Sequence, residues 1–142
     1  MLQREIETDI RPWCFERGIG LCVYWPLMKG LLAGRLSWNH QFADADGRTK
    51  YPMFQGDEWR KNQDFMDDLK SIATSAGCHV SQLVLAWTIR QPGITSALCG
   101  AKRGWQISET AAAMDLQLSE STLAAIQFAL TRRGKPYSVA AV

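Results

Sequence analysis

Apolar positions along the chain change rhythm several times. Leu2, Ile6, Ile10, Trp13 and Cys14 recur every three or four residues, the spacing of one helical face, and predict a helix over residues 2–17. Glu5, Glu7 and Asp9 in its first half and Arg17 at its end suit the helix dipole, and Gly18 stops it. Pro12 falls inside that span, where a proline removes a backbone hydrogen bond and bends the helix. From Ile19 the period collapses into an almost unbroken apolar run, Ile19-Gly20-Leu21-Cys22-Val23-Tyr24-Trp25, closed by Pro26. A run of this kind reads as a strand buried on both faces, as in parallel sheets covered by helices.

Residues 26–35 are punctuated by glycine, and residues 37–56 lose periodicity altogether, with turn formers at Asn39, Asp44, Asp46, Gly47 and Pro52. An unstructured connection of ~20 residues is unusual in a compact domain and is often functional. Helical spacing returns at Phe65, Met66, Leu69, Ile72, Ala73 and Ala76, predicting a helix over 57–76 capped by Asp57 and ended by Gly77. A third helix, 81–90, turns Leu83, Val84, Ala86 and Trp87 inward and stops at Pro92-Gly93. Residues 94–99 repeat the short apolar run and deliver it into Gly100-Ala101-Lys102-Arg103-Gly104. Helices follow over 105–113 and from a Ser119 cap, with Lys135, Pro136 and Tyr137 as coil. Strands that each feed a glycine-bearing loop and then helix are α/β logic with parallel strands. Two strands cannot close a sheet.

The 142 residues are enough for one core and well short of the roughly 250 of a complete eight-fold β/α barrel. Sixteen basic against 14 acidic residues, a net charge of +2, leave no nucleic-acid footprint. The cluster Arg132, Arg133, Lys135 suits a helix C-terminus instead. No apolar run reaches the ~18 residues of a membrane span. The six tryptophans imply large buried contacts. Cys14, Cys22, Cys78 and Cys99 lack C-x-x-C spacing, so they read as buried free thiols of a reducing cytoplasm, and His40 and His79 have no metal partner at a recognisable spacing. Met1 runs directly into the charged Gln3-Arg4-Glu5, which is not the opening of a signal peptide.

The motif Tyr24-Trp25-Pro26-Leu27-x-x-Gly30-x-Leu32-x-Gly34-Arg35 resembles the aldo-keto reductase pattern Y-S-P-L-x-x-G-x-L-x-G-K. Cys99-Gly100-Ala101-Lys102-Arg103-x-x-Gln106-x-x-Glu109-Thr110 resembles that family's later pattern P-G-A-K-R-x-x-Q-x-x-E-N. Asp46-Gly47-Arg48, Ala73, Gln82-Leu83 and Ala86-Trp87 fall in register between them. Trp25 stands for the family's serine, Cys99 for its proline and Thr110 for its asparagine. The branch it is most similar to is the long-loop type of the potassium-channel β-subunits and bacterial relatives.

This resemblance implies an α/β fold that is part of a (β/α)8 TIM barrel: barrel helix 6, strands 7 and 8 and the closing helices. On this resemblance residues 1–142 are expected to form one such portion, with no separate second domain. The opening Met1-Leu2-Gln3-Arg4-Glu5-Ile6-Glu7 resembles sequence directly after barrel strand six. The family's catalytic aspartate, tyrosine, lysine and histidine therefore match no position here, and the chain alone is expected to be non-catalytic. NADP(H) is the implied cofactor. Tyr24 matches the aromatic that stacks on nicotinamide, while Pro26, Leu27, Gly30, Arg35 and Arg48 match the loop at its diphosphate. Gly100, Lys102, Arg103, Gln106, Glu109 and Thr110 match the adenosine end.

Elementary chemistry agrees: Gly30 and Gly34 let backbone approach a diphosphate, and Arg35 and Arg48 offer forked donors. Lys102 and Arg103 put two cations beside a helix start, suited to a 2′-phosphate, and Gln106 and Glu109 share one face of that helix. The competing reading is an ordinary β/α turn with solvated cations. A different class of function is also open, a non-catalytic assembly module in which an incomplete barrel self-associates or pairs with an N-terminal half through strand edges and apolar faces.

Overall fold

The computed structural model describes residues 1–136, so Tyr137 of the expected coil lies outside the described residues. Its elements are α1 (Ile10–Glu16), β1 (Leu21–Tyr24), α2 (Gly56–Ser75), α3 (Val80–Ile89), β2 (Ile94–Leu98), α4 (Gly104–Ala111) and α5 (Glu120–Arg133). The two strands pair in parallel, Leu21 opposite Ile94 and Tyr24 opposite Leu98, with one irregularity after Leu21. A parallel pair needs a long crossover, and α2 with α3 supplies it. No single helix among the described residues is long and apolar enough to cross a membrane.

The first helix is shorter than its apolar spacing predicts. Residues Glu5–Glu7 form a 3-10 turn, and α1 begins only at Ile10 with Asp9 as its N-cap. Pro12 explains the shift. In the first turn of α1 its missing N–H belongs to the unpaired set of any helix start, whereas a helix from residue 2 would lose an internal hydrogen bond there. The stripe breaks accordingly: Leu2 and Cys14 are buried, Ile10 and Trp13 exposed.

Three further expectations change. The strands are not buried on both faces, because Cys22, Tyr24 and Leu98 are exposed; α3 packs against β2 from one side. Of the six tryptophans only Trp87 is buried, and of the four free cysteines only Cys14. Helix α2 starts at Gly56 with Gln55 as N-cap, so Asp57 sits in the first turn, pairing with Arg60 at 3.0 Å.

The core lies between helices. Phe65, Met66 and Leu69 of α2 meet Leu83 and Val84 of α3, Ile126 and Ala129 of α5, and Leu31 and Leu32 of the segment after β1. Residues 37–55 are an ordered strap. Short 3-10 turns at Gly47–Lys50 and Pro52–Phe54 shape it, Phe42 packs edge-on against Phe54 and Trp59, and Trp38 donates to Asp67 at 2.8 Å. At the far end of α5, Arg132 pairs with Asp68 across the surface. Arg133 stands in the last turn of α5, as expected of a cation at a helix C-terminus, and its side chain is buried against Asn62 and Glu58 of α2.

One core position is unfavourable. Gln63 is 0% exposed, and neither its amide nitrogen nor its oxygen has a hydrogen-bond partner among the described residues. A buried amide without partners gives up its hydration for nothing, so Gln63→Met, close in volume, is expected to stabilise the fold by about 1–2 kcal/mol. Thermal unfolding checks this: the midpoint should rise by a few degrees, and a lower midpoint would show that the amide is satisfied in solution.

Candidate functional site

Both strands run toward the same end of the molecule, and the loops leaving them face each other there. After β1 the backbone is irregular: Trp25, Met28 and Lys29 hold φ of +52°, +46° and +55°. Gly30 (φ +92°) and Gly34 (φ +78°) continue the left-handed turns. Gly34 serves packing, since a Cβ there would lie 3.1 Å from the Val80 side chain, while a Cβ on Gly30 would lie in ordinary contact, 3.8 Å, with Arg48 Nη1.

A cleft of about 460 Å³ separates the two loops and brings together Pro26, Leu27, Gly30, Arg35, Gly100, Lys102, Gln106, Glu109 and Thr110. A second, more open cleft of about 820 Å³ shares Lys29, Gly30, Gly100, Lys102 and Gln106 with it and adds Arg48. Tyr24 is directed elsewhere, into a groove of about 410 Å³ beside Arg4 and Trp87, and stacks on Trp25 at 5.0 Å. Arg103 is exposed and lines neither cleft.

Side-chain bonds fix this arrangement. Glu109 accepts from the Ser81 hydroxyl at 2.6 Å and from Arg35 at 2.7 Å, so α4, α3 and the first loop meet at one carboxylate. The Arg35 guanidinium lies 4.5 Å from the Trp105 ring centre. The Gln106 side-chain oxygen accepts from the backbone N–H of Lys102 at 2.7 Å and of Arg103 at 3.0 Å, which shapes the second loop. The Thr110 hydroxyl donates back to the Gln106 carbonyl at 2.9 Å. Arg48 forks onto Asp46 at 3.0 and 2.7 Å, and these hydrogen bonds, with one from the Arg48 backbone, hold the Asp46 carboxyl down at about 2. Burial pushes the Cys99 thiol up.

Two of the cations nominated from the sequence thus carry carboxylate partners already. Lys29, Lys50 and Lys102 line the clefts with no carboxylate within 4.0 Å among the described residues. Ser81 and Lys29 were not expected at the site from the sequence, and Tyr51 was expected only as part of the long loop beside the substrate pocket. Only the Gln82-Leu83 match beside Ser81 hinted at that part of α3. No group of three metal-ligating side chains occurs among the described residues.

The model of the Aldo/keto reductase family matches residues 1–130. The chain is 30% identical over 121 residues to the NADH-specific methylglyoxal reductase of Escherichia coli, covering 85% of this chain and 36% of the relative. Identity and coverage are the same for the aldo-keto reductase yakc of Schizosaccharomyces pombe, whose name carries NADP(+). Among solved structures, the glycerol dehydrogenase AKR11B4 from Gluconobacter oxydans superposes with a TM-score of 0.85 at 26% identity, over 99% of this chain and 43% of that one. The chain spans about a third of the length of the curated relatives it matches. With a family match over most of its length, and the two motif loops facing each other across one cleft, this chain belongs to the aldo/keto reductase family.

Proposed function

We propose that this chain is the NADP(H)-binding portion of an aldo/keto reductase, contributing barrel helix 6, strands 7 and 8 and the closing helices to a (β/α)8 barrel that reduces an aldehyde or ketone. The observation that carries the reading is the cleft at the C-terminal ends of the two parallel strands, walled by the loops after each. Barrel active sites sit at that end, and phosphate sites commonly form from the last two loops. The relatives differ in the cofactor their names carry, one NADH-specific and one with NADP(+). The choice therefore falls on local charge, and Lys102 with Arg103 beside the start of α4 favours a 2′-phosphate. Four free cysteines fit a reducing, cytoplasmic setting.

A second reading, an assembly module that self-associates or takes up an N-terminal half, is favoured by one observation. Ile10, Trp13, Phe15 and Ile19 are all at least 45% exposed, and each strand has one edge with no strand paired to it among the described residues.

Titration of the 142-residue chain with NADPH and NADH, followed by nucleotide fluorescence, separates the two. NADPH is expected to bind at least about tenfold tighter than NADH. Addition of 4-nitrobenzaldehyde should consume no NADPH above the blank, because the general acid of the reaction has no matching residue here. A chain that ignores both nucleotides and scatters light as an oligomer would instead be the assembly module.

A further inference from the structure

The loop after β1 holds an ammonium in an unusual place. Lys29 Nζ lies 3.4 Å from the centre of the Trp25 ring and 4.4 Å from that of Tyr51, and the two rings meet edge to face at 84°. Trp25 is backed by Tyr24, stacked at 5.0 Å. Trp25 and Lys29 both have left-handed backbone, which is unfavourable for a non-glycine residue and persists where the surroundings impose it. Lys29 lines both clefts and sits beside Gly30, where a Cβ would lie 3.8 Å from Arg48 Nη1, so the Arg48 guanidinium borders the same stretch of loop.

We propose that Lys29 is a phosphate-binding residue of this cleft, held ready by Trp25 and Tyr51, and that its ammonium takes the diphosphate of the bound nucleotide. The inference rests on the nucleotide reading above and adds to it a residue that Arg35 and Arg48 do not replace. Those two arginines give donors to Glu109 and Asp46. Lys29 has no carboxylate within 4.0 Å, so its charge is not neutralised. Aromatic faces attract an ammonium but accept its hydrogen bonds weakly, whereas a phosphate oxygen accepts a short, charge-assisted one. The rings therefore position the cation without competing strongly for its N–H groups. The lining of the larger cleft agrees in sign, with Lys29, Arg48, Lys50 and Lys102 against the single carboxylate of Asp46. Because Tyr51 belongs to the strap of residues 37–55, the same ammonium ties that strap to the ligand. Trp25, in the place of the family's serine, removes a hydroxyl from this loop and supplies a ring for Lys29.

The test compares the unaltered chain with Lys29→Asn, Lys29→Gln and Lys29→Arg, each checked by thermal unfolding. Asparagine tolerates the left-handed backbone and glutamine is the second neutral variant. NADPH affinity should fall about tenfold in both neutral variants, with a flatter dependence on salt, and return to within about threefold in Lys29→Arg, which keeps charge and ring contact. Neutral variants within about twofold of the unaltered chain, or an arginine variant no better than they are, would overturn the assignment and leave the nucleotide reading standing. If the unaltered chain binds neither nucleotide, that reading falls, and titration with inorganic diphosphate still decides Lys29. Binding lost in the neutral variants sustains it; no binding, or binding they retain, overturns it.

Discussion

Replacing Lys102 and Arg103 together by alanine is expected to erase the preference for NADPH over NADH and leave NADH affinity within about twofold. The two nucleotides differ only by the 2′-phosphate, which carries between one and two negative charges near neutrality. Both side chains lack a carboxylate within 4.0 Å among the described residues, so no internal ion pair competes for them. Their backbone N–H groups donate to the Gln106 side chain at 2.7 and 3.0 Å, and alanine keeps those bonds. The loop should therefore hold its shape while the charge is removed. Two charge-assisted contacts at an exposed site, discounted for solvent screening, still amount to about 30-fold in affinity or more. Lys102 lines the cleft and Arg103 does not, so Lys102→Ala alone should carry the larger share. Fluorescence titration gives the NADPH to NADH ratio directly. A ratio unchanged in the double variant would remove the 2′-phosphate from this loop.

The same titrations separate this pair from Lys29. The diphosphate is common to both nucleotides, so a neutral residue at 29 should weaken NADPH and NADH by the same factor. Alanine at 102 and 103 should weaken NADPH alone. Combined, the losses should add, because a diphosphate and a 2′-phosphate are held through different contacts.

Which features could be read from the sequence follows from the range of the forces involved. Helices α2, α3 and α5 stand within two residues of their spacing-based positions, since their apolar faces meet one another in a single core. The start of α1 failed on a local rule that was in view, for Pro12 accounts for it. Strand burial failed because apolar composition reports what a strand would bury, and the described residues cover only part of it. Arg48 pairs with Asp46 two residues away and Arg35 with Glu109 across 74 positions, and the sequence pattern, which offers both arginines to a diphosphate, foretells neither pair. Lys29 carried no signal at all. Its neighbours in the cradle, Trp25 and Tyr51, are brought to it by left-handed turns and by a strap whose course no periodicity describes.

Arg133 illustrates the same limit with a larger energetic consequence. Its side chain is 1% exposed, and its Nε and Nη2 donate to Asn62 Oδ1 at 3.1 and 2.7 Å, while Nη2 also reaches Glu58. Asn62 is itself buried, and its Nδ2 donates to the Met53 carbonyl at 2.9 Å, so the end of α5, the first turns of α2 and the strap are joined through the Asn62 amide. Arg133→Ala removes both donors from the Asn62 oxygen and empties the space of a long side chain. Losses of this kind cost about 3–5 kcal/mol, a large part of the ~5–15 kcal/mol by which a domain is stable. Arg132→Ala, one residue earlier, loses only the surface pair with Asp68 and should cost less than about 1 kcal/mol. Arg133→Lys should recover little, because a single ammonium cannot reproduce the fork onto Asn62. Denaturant unfolding of the three variants measures the contrast. In the cycle with Asn62→Ala, the double variant should be less destabilised than the sum of the singles, since the second substitution removes the oxygen that the first leaves unpaired. Equal midpoints for the variants at 132 and 133 would mean that Arg133 is hydrated in solution and that α5 is fastened to α2 by its apolar face alone.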